Sequence, residues 1–116
     1  METYEVARFE HVGDVRRVFV TQDESGLVVR EDLSGPSVLV AYGDESRSLR
    51  ASFDAAAVES LLDAVASAGA EGSLREYLAD ERHDIVDLMD LCDARGVPYA
   101  FTGMGSESGI QFRPAR

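Results

Sequence analysis

The chain has 116 residues, 22 acidic against 11 basic, for a formal charge of -11. At 45% hydrophobic and 28% charged it holds enough apolar side chain to bury a core, which excludes an intrinsically disordered chain. No apolar run approaches the ~18 residues of a membrane-crossing helix, and the field of so many carboxylates argues against nucleic acid or anionic lipid as partner.

Taken in chain order, Thr3 to Phe9 has a strand-like composition, and Asp14 to Thr21 is stronger, with Val15, Val18, Phe19 and Val20 β-branched or aromatic. Asp23-Glu24-Ser25-Gly26 reads as a turn and Leu27 to Leu33 as the next strand. Ser34-Gly35-Pro36 reads as a second turn. Ser37 to Tyr42 is apolar on both faces and predicts a central strand covered on both sides or a strand at a barrel wall. After a third turn, Gly43 to Ser46, the stretch Arg47 to Phe53 puts Leu49, Ala51 and Phe53 on one face. Strands this close in sequence should pair as an antiparallel meander.

Asp54 then reads as an N-cap. Behind it Val58, Leu61, Leu62 and Val65 fall at i, i+3, i+4 and i+7 and predict one buried stripe, closed by Gly69. Ser73 to Glu76 has the S-x-x-E form of a capping box. Helix continues to Arg95, either unbroken or interrupted near Arg82 and His83, with Ile85, Leu88, Met89 and Cys92 on its apolar side. Gly96 and Pro98 end it. Val97 to Thr102 reads as a strand, Gly103 to Gly109 as a connector, and Ile110 to Arg113 as a last short strand. The sum is one α+β domain over 1–116: a mostly antiparallel meander sheet, two or three helices on one face, and a C-terminal strand pair.

The densest charge feature is Asp80, Glu81, Asp84, Asp87, Asp90 and Asp93, with Arg82 the one basic residue among them. It is a solvated helix face, or a ridge that docks a basic partner or binds a divalent cation. The partner-binding candidates are Asp80, Glu81, Asp84, Asp87 and Asp90. His83 and Asp87 share helical spacing, but nothing near them completes a metal site, so no metal and no cofactor is expected. Cys92 lies on the apolar stripe, where a thiol packs as a small hydrophobe. The glycines from 103 to 109 are followed by no helix and hold Glu107, which opposes a phosphate-loop reading. No G-x-S-x-G elbow occurs, and no catalytic residue is nominated. Tyr42, Tyr99 and Phe101, with Met104, are candidate walls of a pocket between sheet and helices. If Arg47 and neighbouring strand arginines share the outer sheet face, they offset part of the acidic field; otherwise they are plain surface residues.

Gly26 to Glu45, with its D-L-S-G-P-S turn and later Gly43-Asp44 turn, and Gly96-Val97-Pro98-Tyr99-Ala100-Phe101 near the end, resemble a set of small acidic bacterial α+β proteins. Some small acidic bacterial proteins of this general kind are immunity proteins that bind and block a toxin, so the resemblance implies a binding role.

The sequence therefore predicts a non-enzymatic acidic binding module, in its sharpest form an immunity or inhibitor protein docking a basic partner through an acidic helix face. The alternative is a small-ligand or regulatory domain. The lone cysteine and the N-terminus, METYEVARFE, which lacks a signal peptide's basic start and apolar stretch, suggest the cytoplasm. Homo-oligomerisation through an edge strand is compatible with either function.

Overall fold

Alternating apolar residues and tight turns at Val12-Gly13 and Glu24-Ser25 produce three successive antiparallel strands: β1 (Glu2–His11), β2 (Asp14–Asp23) and β3 (Gly26–Ser34). A short helix, α1 (Pro36–Tyr42), leads to β4 (Ser46–Asp54), which lies beside β3. Three helices follow, α2 (Ala55–Ser67), α3 (Leu74–Ala79) and α4 (Ile85–Arg95). The chain then returns to the sheet as β5 (Ala100–Gly105) against β4, and β6 (Ile110–Arg113) closes the order β1-β2-β3-β4-β5-β6. The structure is a computed structural model describing residues 2–68, 73–105 and 110–114.

The architecture is thus the expected α+β meander, with strands first, helices on one face and a C-terminal strand pair. The core lies between sheet and helices. Val18 and Val20 of β2, Leu27 and Val29 of β3, and Leu49, Ala51 and Phe53 of β4 face Leu61, Val65, Leu74, Leu78, Ile85, Leu88 and Cys92. Each large side chain buried there contributes roughly 1.5–3 kcal/mol. Among the described residues no helix is long and apolar enough to cross a membrane.

Several expectations need correction. Ser37 to Tyr42 is helical, not a strand. Gly35, at φ +120°, takes a backbone conformation that side-chain-bearing residues avoid, and Pro36 stands in the first helical turn, where its fixed φ suits a helix. A short run apolar on all sides fits a buried strand and a helix equally well. The buried positions of α2 are Ala57, Leu61, Ala64 and Val65, while Leu62 is exposed. Small alanines let the helix approach the sheet and rotate the stripe away from the bulkier residues. The strand expected from Val97 begins at Ala100, and Gly103 to Gly105 belong to β5 rather than to a connector; residues 106–109 of that connector, and Gly69, lie outside the described residues. Arg47 is buried on the helix-covered side of the sheet, close to the buried Asp44. The outer face instead carries Arg17, Arg30 and Arg50, and there Phe19 lies between the guanidinium groups of Arg17 and Arg30.

With Ser37 to Tyr42 helical, the helices among the described residues number four rather than two or three, while the expected caps are formed. Asp54 caps α2, accepting from Ala57 N at 2.9 Å. Ser73 caps α3 through Glu76 N. The stretch 73–95 is two helices, broken near Arg82 and His83.

Candidate functional site

The acidic run divides by role. Asp84 is the N-cap of α4: its carboxylate accepts from Asp87 N at 2.9 Å, while the Asp87 carboxylate accepts from Asp84 N at 3.0 Å. These two residues form a capping box and satisfy orphan amides of the helix start. Asp80 accepts from the Arg82 guanidinium at 2.7 Å and from Arg82 N at 3.0 Å, which hold its carboxyl well below the usual range. Glu81 and Asp90 project into solvent. Asp93 accepts from the Tyr99 hydroxyl at 3.0 Å. Much of what reads as a docking ridge in the sequence therefore organises the chain around the start of α4.

That organisation centres on a residue that the sequence reading passed over. Glu31 is 3% exposed and points from β3 into the helix-covered side. Its carboxylate accepts from Ile85 N, the first helical amide of α4, at 2.7 Å. It also lies 3.6 Å from Arg16 Nε. Arg16 in turn donates to the carbonyls of Glu81 and His83 at 2.8 and 3.0 Å and covers the Phe9 ring. Burial pushes the Glu31 carboxyl up; the Ile85 amide and Arg16 act against that push, and Asp84 and Asp87 add to it. The signal was present: Val29, Glu31 and Leu33 alternate on one face, and that face is apolar.

His83 stacks on Tyr77 with ring centroids 4.0 Å apart, and its Nδ1–H donates to the Tyr77 carbonyl at 2.9 Å. A carbonyl can only accept, so the proton is on Nδ1. Burial pushes the Tyr77 hydroxyl up to about 12. His83 thus packs and positions a loop. Among the described residues no three His, Cys, Asp or Glu side chains gather as a metal site.

The three pocket candidates separate. Tyr99 is buried against Phe53, and Phe101 is half-buried at the core margin. Tyr42 is elsewhere, on α1, where it lines a cavity of about 330 Å³. Phe9, Leu33, Val38, Ala41 and Tyr42 supply its apolar walls; His11, Asp14, Arg16, Ser37 and Glu81 supply polar groups. The site is assembled from four sequence regions: the β1–β2 hairpin, the end of β3, α1, and the loop before α4.

Asp14 makes the join between hairpin and helix. Its carboxylate accepts from Ser37 N at 2.9 Å and from Ser37 Oγ at 2.5 Å, which lowers its pKa. It thereby caps α1, whose own N-cap residue, Gly35, has no side chain to do so. At that junction a Cβ on Gly35 would stand 2.5 Å from Asp14 Oδ1. On the other side of α1, the Arg47 guanidinium lies 4.6 Å from the Tyr42 ring centre.

Around this cavity the surface is apolar. Seven large hydrophobic side chains are exposed among the described residues, and Val12, Leu39, Val40 and Tyr42 all lie on α1 or the adjoining hairpin tip. Val40 is 88% exposed and Val12 85%. Gly13, next to Val12, abuts Pro36 at the start of α1. Glu81 and Asp14 bring carboxylates to the cavity lining, in a chain of formal charge -11. Comparison of the chain with protein-family models, curated proteins and solved structures finds no match.

Proposed function

We propose that this is a non-enzymatic binding module that docks a basic protein partner, with an immunity or inhibitor role as its sharpest form. The contact face in this reading is the end of the molecule formed by α1 and the β1–β2 hairpin tip, rather than the side of α4. One observation carries it: of the seven large apolar side chains exposed among the described residues, four lie on α1 and the adjoining hairpin tip. Contiguous apolar surface rimmed by polar groups marks interaction sites. The formal charge of -11 steers cationic surfaces toward the molecule, which raises association rate more than affinity. Glu81 and Asp90 contribute to steering; Asp84 and Asp87 are engaged at the helix start. The cytoplasm is the setting that goes with this reading, since its single thiol, Cys92, is unpaired and buried.

The test is affinity capture from the source organism's lysate by the immobilised chain, at low and high salt, with Val40→Glu and Asp90→Arg variants alongside. The expected result is a stoichiometric basic protein that is released by salt, lost with Val40→Glu and retained with Asp90→Arg. Capture that ignores Val40 while following Asp90 would return the contact to the face of α4. No specific capture by the unmodified chain would overturn the docking role.

A further inference from the structure

The cavity under α1 has features that an interaction patch alone does not need. Its volume, about 330 Å³, is at the small end for ligand pockets, large enough for one ring or branched aliphatic group with its immediate neighbours. Phe9, Leu33 and Val38 form the inner wall, and Ala41 leaves space where most residues would fill it. Two of the polar groups that line it are already committed. The Asp14 carboxylate holds Ser37, and Arg16 is engaged by two carbonyls and Glu31. An anionic small molecule would meet Glu81 at the mouth, with Arg16 already engaged. A cationic segment would meet Glu81, and the field of a chain of formal charge -11, as complementary charge.

Resting on the docking reading above, we infer that this cavity is an anchor pocket for one aromatic or branched aliphatic side chain of the partner, flanked in the partner's chain by arginine or lysine. Interfaces concentrate their binding energy in such desolvated anchors, and surrounding contacts exclude water. Glu81 and the acidic field of the whole chain then select by charge what the apolar walls accept by shape.

Amide NMR of the full chain titrated with capped tripeptides tests this without the natural partner. Acetyl-Arg-Phe-Arg-amide should shift the amides of Leu33, Val38, Ala41 and Tyr42 saturably, with half-saturation at about 1 mM or below. Acetyl-Arg-Gly-Arg-amide and acetyl-Glu-Phe-Glu-amide should bind at least about tenfold more weakly, because each lacks one of the two features. Ala41→Phe, at an exposed position, should fill the cavity and weaken the first peptide by at least about tenfold; Ala41→Leu is the milder second variant. Unchanged amides elsewhere would show that both variants fold. If neither Ala41 variant weakens binding, or no saturable shift appears by about 10 mM, the anchor inference fails. Val40-dependent capture of a basic protein would still stand in that case, so the two readings fail separately. Tighter binding of the glutamate peptide, or of acetate or benzoate at the same concentration, would assign the cavity to an anionic small ligand and overturn the anchor inference.

Discussion

Glu31 offers the sharpest test of how the loop before α4 is held. Replacing it with alanine removes the acceptor of Ile85 N and the carboxylate beside Arg16. A hydrogen bond to a charged group contributes about 1.5–3 kcal/mol, and breaking a buried pair costs about 3–5 kcal/mol when the other charge is stranded. Arg16 is not wholly stranded, because the Glu81 and His83 carbonyls still accept from it. Glu31→Ala should therefore cost about 3 kcal/mol, near the lower limit of that range. With a urea m value of about 1.5 kcal/mol/M, the unfolding midpoint should fall by about 2 M. Glu31→Gln keeps an oxygen to accept from Ile85 N and removes the buried charge, so its cost should be about 1 kcal/mol or less. The pH dependence separates the two effects. Burial raises the Glu31 carboxyl above its ordinary value of 4.5, so between 4.5 and the raised value the folded chain holds a proton that the unfolded chain has released. Stability from this group is greatest below that window and falls as pH rises through it. The unfolding free energy of the unmodified chain minus that of Glu31→Gln should therefore increase as pH drops from 7 toward 4.5. Equal losses for the alanine and glutamine variants, or a difference that falls on acidification, would refute the placement of Glu31 as a desolvated helix cap.

Three further outcomes follow from the fold. Asp84→Ala removes the N-cap half of the capping box on α4 and should cost about 1 kcal/mol, read by chemical denaturation, with the other variant, Asp87→Ala, close to it. Gly26→Ala should destabilise strongly, by about 3 kcal/mol or more, because φ is +150° and the new Cβ would stand 2.0 Å from the Phe53 carbonyl in the neighbouring strand; near-native stability would show that β3 and β4 can separate there. Cys92 is fully buried and its thiol is pushed up to about 11 by burial, so labelling by an aromatic disulfide at pH 8 should be slower in the native protein than in denaturant by about a thousandfold or more; fast native labelling would place α4 among the easily opened parts of the fold.

The parts of this fold that were legible in the sequence are those fixed by local chemistry. The β2–β3 hairpin shows in period-two alternation around Asp23 to Gly26, and the starts of α2 and α3 show in the side-chain oxygens of Asp54 and Ser73. What stayed hidden depends on partners far apart in sequence. Asp84 and Asp87 look like spare charge until the break after α3 turns them into a helix start. Glu31 looks like a solvent-facing residue in a charged triplet until Ile85, more than fifty residues later, brings an unsatisfied amide to it. Arg16 and Arg17 are adjacent and indistinguishable by type. Alternation sends one to the loop before α4 and the other to Glu5 on the outer face. The cavity was unreadable for the same reason, since the residues that wall it come from β1, β2, β3, α1 and the loop at Glu81.

The misreading of Ser37 to Tyr42 bears directly on function. An apolar run on both faces is an argument for burial on both faces, and the expected central strand followed from it. The run instead forms a seven-residue helix that buries Val38 and leaves Leu39, Val40 and Tyr42 at the surface. Exposed apolar side chains do not stabilise the monomer, and a helix this short is marginal without outside support. Here the support comes from Pro36, from Asp14 reaching across from β2, and from Gly43 closing the last turn at φ +77°. Three devices hold in place an element whose outward face does nothing for the isolated fold. Conflicts between local pattern and global structure concentrate at sites kept for something other than stability. The same conflict that defeats the strand reading is thus an independent reason to place the contact face on α1.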